Sequence, residues 1–209
     1  MNFAIDMRVF KAALFLLCLV PLAHLGWLGT HAGLSANPIE FVIRSLGDWA
    51  LTFLLITLGV TPLRRLTGWN SLIRVRRMLG LFAFFYASLH FLFYVGVDQF
   101  FDFHAIFQDI AKRPYITLGF VCLLALIPLA VTSTNAMQRR LGGKRWVRLH
   151  RLVYGIAIGG VVHYWWMVKR DITVPLIYAL VLGVLLAARL WRLRRRARLA
   201  SAALSRPPA

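Results

Sequence analysis

Cysteine is nearly absent from this chain, with Cys18 and Cys122 as its only two, and neither has a partner at disulfide or metal-ligand spacing. Both fall inside apolar runs, where a free thiol behaves as a small buried hydrophobe. No glycine-rich phosphate loop, no HExxH pattern and no internal repeat is present. Hydrolysis, phosphoryl transfer and nucleophilic catalysis therefore have no visible machinery. The connections between apolar runs are short and charged, so 209 residues leave no room for a soluble domain with its own core.

What is abundant is apolar sequence. Hydrophobic residues make up 60% of the chain and the mean hydropathy is +0.70, which makes lipid the solvent for most of it. Apolar runs recur at 12–27, 49–63, 78–97, 114–137, 152–168 and 172–188. Each approaches the roughly 17 to 25 residues that cross hydrocarbon, so the sequence predicts an all-α, polytopic membrane bundle of six transmembrane helices over residues 1–190. The first run follows Arg8 and Lys11 as a secretory signal would, but no clean small-x-small cleavage site follows, and it is read as a retained helix. The second needs a start near Ser45 to reach spanning length. From Trp191 the chain is basic and then rich in Ala, Ser and Pro, which reads as a helix end fraying into a disordered cytoplasmic tail over 191–209.

The net charge of +18 would suggest nucleic acid in a soluble protein, so the position of the cations decides their meaning. They alternate by connection. Arg8 and Lys11, the cluster from Arg64 to Arg77, the cluster from Arg139 to Arg151 and the arginines from Arg189 to Arg206 all fall on one side. Only Arg44, Lys112, Arg113, Lys169 and Arg170 fall on the other. The positive-inside rule then predicts cytoplasmic termini in a multi-pass inner-membrane protein, with the basic surplus set by topology and anionic lipid. Nucleic acid is not implied.

Ionisable residues at membrane depth are few, and such residues are functional candidates. His90 lies in the third run and His163 near the outer end of the fifth. Seven residues separate His90 from Val97 and five separate His163 from Val168, so at about 1.5 Å per residue the two imidazoles reach nearly one depth on antiparallel helices. Neutral imidazoles facing across an apolar bundle suit the two axial positions of b-type haem.

The inner half repeats this theme incompletely. His150 stands thirteen residues before His163, a rise of roughly 20 Å, which is the separation of two haems stacked across one membrane. In an ideal straight helix those two side chains point about 140° apart, and Gly155, Gly159 and Gly160 offer local rewinding. Fourteen residues before His90, nearly in phase with it, stands Arg76 where a matching histidine would complete the inner pair. Its side chain either touches a cofactor or snorkels at the boundary with Arg74 and Arg77. His24, His31 and His104 fall at outer helix ends or loops, with His24 in reserve as an outer ligand, and Trp27, Trp165 and Trp166 read as interfacial anchors.

The stretch Leu72 to Leu81, followed by Tyr86-Ala87-Ser88-Leu89-His90, resembles the third helix of the MsrQ (YedZ) family, within the ferric-reductase-like transmembrane group. Arg113 to Gly119, Thr132 to Gly142, Trp146, Leu149-His150, Val153-Tyr154 and His163-Tyr164 continue the likeness over nearly the whole chain. The resemblance implies a haem b subunit, with one or two haems, that takes electrons from the quinone pool or a cytoplasmic flavin reductase. It implies delivery to a periplasmic molybdopterin-containing catalytic subunit that reduces methionine sulfoxide in oxidised envelope proteins. It also implies His90 and His163 as outer haem ligands and His150 as an inner one, with Arg76 departing from the wider group's histidine. FMN has been associated with the family, although no flavin-binding motif stands out here.

The reading is an electron-transfer subunit rather than a complete enzyme. Two other classes stay open at this level: a haem or cation transporter, which expects more mid-membrane ionisable residues than are present, and a cofactor-free anchor or assembly subunit.

Overall fold

The computed structural model describes residues 6–168 and 170–204, so Lys169 and Arg206 of the charge pattern, and the last residues of the tail, lie outside the described residues. Helix accounts for the regular structure, and no strand occurs among the described residues. The order is α1 Met7–Trp27, α2 Pro38–Thr67, α3 Arg76–Phe93, α4 Phe103–Lys112, α5 Pro114–Val131, α6 Asn135–Leu141, α7 Gly143–His150, α8 Leu152–Met167 and α9 Thr173–Leu204. Wider π turns carry α1 on through Leu28–Ala32 and α3 through Tyr94–Asp98. Among the described residues, five segments are long and apolar enough to cross a membrane: Met7–His31, Pro38–Thr67, Arg76–Asp98, Pro114–Val131 and Thr173–Arg195. The chain is a multi-pass membrane protein. The remaining apolar run forms α8, whose 16 residues give about 24 Å of rise.

The helix ends differ from the sequence expectation for local reasons. α2 starts eleven residues before Trp49, because Asn37 caps it by accepting from the Glu40 amide at 3.3 Å and Pro38 takes the first helical position. It stops at Gly68, whose φ of +71° is the left-handed conformation that a side chain resists. The run expected to continue to Met137 ends at Val131 instead. There the Thr132 and Ser133 hydroxyls bond back to the Pro128 and Leu129 carbonyls at 2.6 and 2.7 Å, and Thr134 caps α6. At the C-terminal end, helix α9 does not fray at Trp191 but continues to Leu204. Ala, Leu and Arg are strong helix formers, and they outweigh the repulsion of the basic run.

Helices in lipid associate through close packing and hydrogen bonds rather than through hydrophobic burial. α2 and α3 pack through Phe53, whose ring lies 5.7 Å from Phe82 and 5.3 Å from Tyr86. Tyr86 is fully buried and donates its hydroxyl to the Cys18 carbonyl at 2.8 Å, which fastens α1 to the bundle. α8 reaches its neighbours through glycines: Gly159 lies against Cys122 on α5 and Gly160 against Leu51 on α2. α9 is tied in by a Tyr178–Thr52 hydroxyl bond of 2.8 Å and by the Arg189 guanidinium 4.3 Å above the Tyr154 ring. Both cysteines are free, Cys18 buried and Cys122 half-buried, and act as small packing groups.

Candidate functional site, a facing histidine pair

α3 and α8 bring His90 and His163 together. Their ring centroids are 6.3 Å apart and their planes lie at 80° to each other. An imidazole nitrogen ligates a first-row metal at about 2 Å, and the ring centre lies about 1.1 Å beyond that nitrogen, so two axial imidazoles on one iron have centres about 6.2 Å apart. The observed spacing meets that requirement.

The tautomers agree with it. His90 Nδ1 lies 2.8 Å from the Ile43 carbonyl oxygen and His163 Nδ1 lies 2.6 Å from that of Tyr115. A carbonyl only accepts, so each Nδ1 carries the proton and donates, which leaves the lone pair on Nε2, on the far side of the ring. This is the outer-shell bond that orients metal-ligating histidines.

Each imidazole also rests on a glycine. A Cβ at Gly47 would stand 3.2 Å from His90 Cε1 and Nδ1, and one at Gly119 would stand 2.8 and 2.9 Å from the same atoms of His163. In both cases the glycine follows the accepting carbonyl by four residues, Ile43 to Gly47 on α2 and Tyr115 to Gly119 on α5. One turn of helix thus supplies an acceptor and then a gap, and does so twice. Sequence reasoning missed both glycines and both carbonyls.

The pair lines a cavity of about 490 Å³ among α2, α3, α5 and α8. Its deep end is formed by apolar side chains such as Leu51, Leu54, Ala83, Leu126 and Ile156, and its other end by Glu40, Arg44, Asp98 and Arg113. Along α3 and its π turn the lining runs from Ala83 to Asp98, about 22 Å of helix. An apolar slot of this size with two converging imidazoles fits a porphyrin bearing an axially ligated iron. Asp48, also overlooked in the sequence, lines the slot.

The inner histidine is held differently. His150 ends α7, and the chain turns at Arg151 before α8 begins, so His150 and His163 do not share a straight helix. His150 Nε2 lies 3.1 Å from the Thr132 hydroxyl, and its ring stacks on Trp146 at 3.9 Å between centroids. Trp146 Nε1 donates to the Thr132 carbonyl at 2.9 Å, closing a three-residue cluster. Partial burial, then the nearby cations Arg76 and Arg77, hold the His150 pKa below the usual histidine value. Arg76 is thus close enough to act electrostatically on His150, while the His150 Nε2 is engaged by the Thr132 hydroxyl.

The other histidines stay outside the slot. His24 and His31 are exposed and stack on either side of Trp27, and the exposed His104 bonds Gln108 at 2.7 Å. Trp27, Trp165 and Trp166 are exposed, as interfacial anchors are.

A helical membrane bundle built round a facing histidine pair is the architecture of a ferric-reductase-like protein, and residues 45–161 match the family described as ferric reductase like transmembrane component. The match takes in His90 and His150 and stops two residues short of His163. The curated protein-methionine-sulfoxide reductase heme-binding subunit MsrQ of Rhodospirillum rubrum is 56% identical over 191 residues, covering 91% of this chain and 92% of the relative. The same-named proteins of Herminiimonas arsenicoxydans and Caulobacter vibrioides are 52% and 50% identical, covering 92% and 88% of this chain and 90% and 87% of their own lengths. The chain belongs to the MsrQ family of ferric-reductase-like membrane proteins.

Proposed function

We propose that this chain is the haem b subunit of a methionine sulfoxide reductase system, carrying electrons across the inner membrane to a periplasmic molybdopterin-containing catalytic subunit that repairs oxidised proteins. The quinone pool or a cytoplasmic flavin reductase supplies the electrons. The observation that carries the reading is the His90–His163 pair, 6.3 Å apart, with both Nδ1 atoms tied back to helix carbonyls.

Bound haem supplies a one-electron couple at the iron. His90 and His163 offer it neutral Nε2 lone pairs, and the Ile43 and Tyr115 carbonyls fix both rings. Gly47 and Gly119 leave room for them. The apolar walls of the deep end would keep water from the macrocycle of a bound haem. Arg76 and His150 form the inner end of the path, where ligation by His150 Nε2 requires its bond to Thr132 to open.

The orientation follows from charge. The arginine-rich connections and both termini face the cytoplasm, and the cavity end bearing Arg44 and Arg113 faces the periplasm. α8 completes a sixth span, with Arg151 at one end, Trp165 and Trp166 at the other, and local thinning of the bilayer over its shorter rise.

The test is a pyridine haemochrome assay with redox titration on the purified full chain. A b-type haemochrome with one or two resolved potentials is expected, and chain expressed with ample haem that shows no Soret band would overturn the proposal.

A further inference from the structure

The two histidine turns carry one more shared feature. Arg44 follows Ile43, whose carbonyl holds His90, and Arg113 precedes Tyr115, whose carbonyl holds His163, by two residues. Both arginines line the same polar end of the slot, and they are the only Lys or Arg side chains among its described lining residues. Each is about half exposed and paired one turn away, Arg44 with Glu40 and Arg113 with Asp109. A half-exposed guanidinium in such a pair gains little from it and exchanges partners readily.

Haem b is an asymmetric guest. Its macrocycle and iron are apolar or neutralised by ligation, while two carboxylates project from one edge. Those carboxylates are costly in hydrocarbon unless paired, and guanidinium is the side chain whose fork matches them. The opposite, deep end of the slot offers only apolar side chains to such an edge. Glu40 and Asp98 line the polar end too, and without the two guanidinium groups they would repel a dianionic edge.

Building on the haem reading above, we propose that Arg44 and Arg113 form the recognition site for the haem propionates, admitting the porphyrin with its carboxylate edge toward the Arg44–Arg113 end and fixing its rotation between His90 and His163. The site is a carboxylate clamp made by the same two helix turns that orient the axial ligands. Guanidinium charge beside the propionates also favours the electron-richer ferrous state, so it raises the reduction potential.

The experiment loads the purified full chain in nanodiscs with haem b or with its dimethyl ester, in which both carboxylates are masked. Retained haem is measured by haemochrome and the potential by titration. The parent chain should retain haem b at least about ten-fold better than the ester, as loss of paired charge at a partly buried site requires. Arg44→Gln combined with Arg113→Gln should reduce that preference to near parity, keep the bis-imidazole Soret spectrum and lower the potential. Arg44→Lys combined with Arg113→Lys should restore part of both. Equal retention of haem b and ester by the parent chain overturns the clamp and leaves the histidine site standing. An undiminished preference in the double glutamine variant also overturns it, and would assign the arginines to lipid headgroups. Failure of the parent chain to take up either porphyrin overturns the haem reading itself.

Discussion

The outer histidines sit on α3 and α8 and the inner one at the end of α7, and they are held in different ways. At His90 and His163 a backbone carbonyl takes the Nδ1 proton and leaves Nε2 facing a cavity. At His150 a hydroxyl engages Nε2 and an indole covers the ring. A histidine becomes a ligand through what holds its other nitrogen, so depth in the membrane is not enough.

The contrast breaks most readily at the ligands. His90→Ala or His163→Ala should lower the haem retained by the purified chain by more than about ten-fold, while His150→Ala leaves the low-spin signal of the outer pair in place. Haemochrome stoichiometry checks this, and equal loss in all three variants would erase the distinction. The supporting glycines come next. A methyl at Gly119 would meet His163 at 2.8 Å, inside normal contact, whereas one at Gly47 meets His90 at 3.2 Å. Gly119→Ala should therefore cost about five- to ten-fold in haem retention and Gly47→Ala about two-fold, on the scale of lost second-shell support. The reverse order would show that α5 gives way more easily than α2.

Smaller effects sharpen the inner half. Thr132→Val removes the hydroxyl that engages His150 Nε2 while keeping the side chain's shape. It should raise the occupancy of any inner haem by about two- to five-fold, as release of one competing hydrogen bond allows. A second potential that grows in titration would report this, and an unchanged profile would remove His150 from ligation. Arg76→Gln takes away one cation that disfavours protonated His150. The His150 pKa should then move upward, toward the value of free histidine, as read by NMR of labelled imidazole. No movement would place Arg76 electrostatically out of reach.

Much of this site was legible in the sequence, because helix rise turns residue counts into depths and the match of His90 with His163 needs no neighbours. The partners were not legible. That Ile43 and Tyr115 would offer carbonyls, and Gly47 and Gly119 space, depends on which helices pack beside α3 and α8. Nothing in the local pattern says so. α2 hid its start because Arg44 and Asp48 interrupt the apolar run, although Asn37 and Pro38 carry the capping signal. The end of α5 hid behind threonine and serine, which read as tolerable in a membrane helix until their hydroxyls bond back and turn the chain. The turn at Arg151 has no proline or glycine to announce it, and it is what removes His150 from the straight-helix phase argument.

The most direct measurement on the clasped pair is low-temperature electron paramagnetic resonance of the ferric, haem-loaded chain. Imidazole planes at 80° leave the iron d orbitals nearly degenerate, so the signal should be low-spin and highly anisotropic, with one large low-field g value, and His163→Ala should abolish it. A rhombic low-spin signal of the kind given by parallel imidazoles would contradict the 80° arrangement, and a low-spin signal that survives both His90→Ala and His163→Ala would contradict the pairing itself.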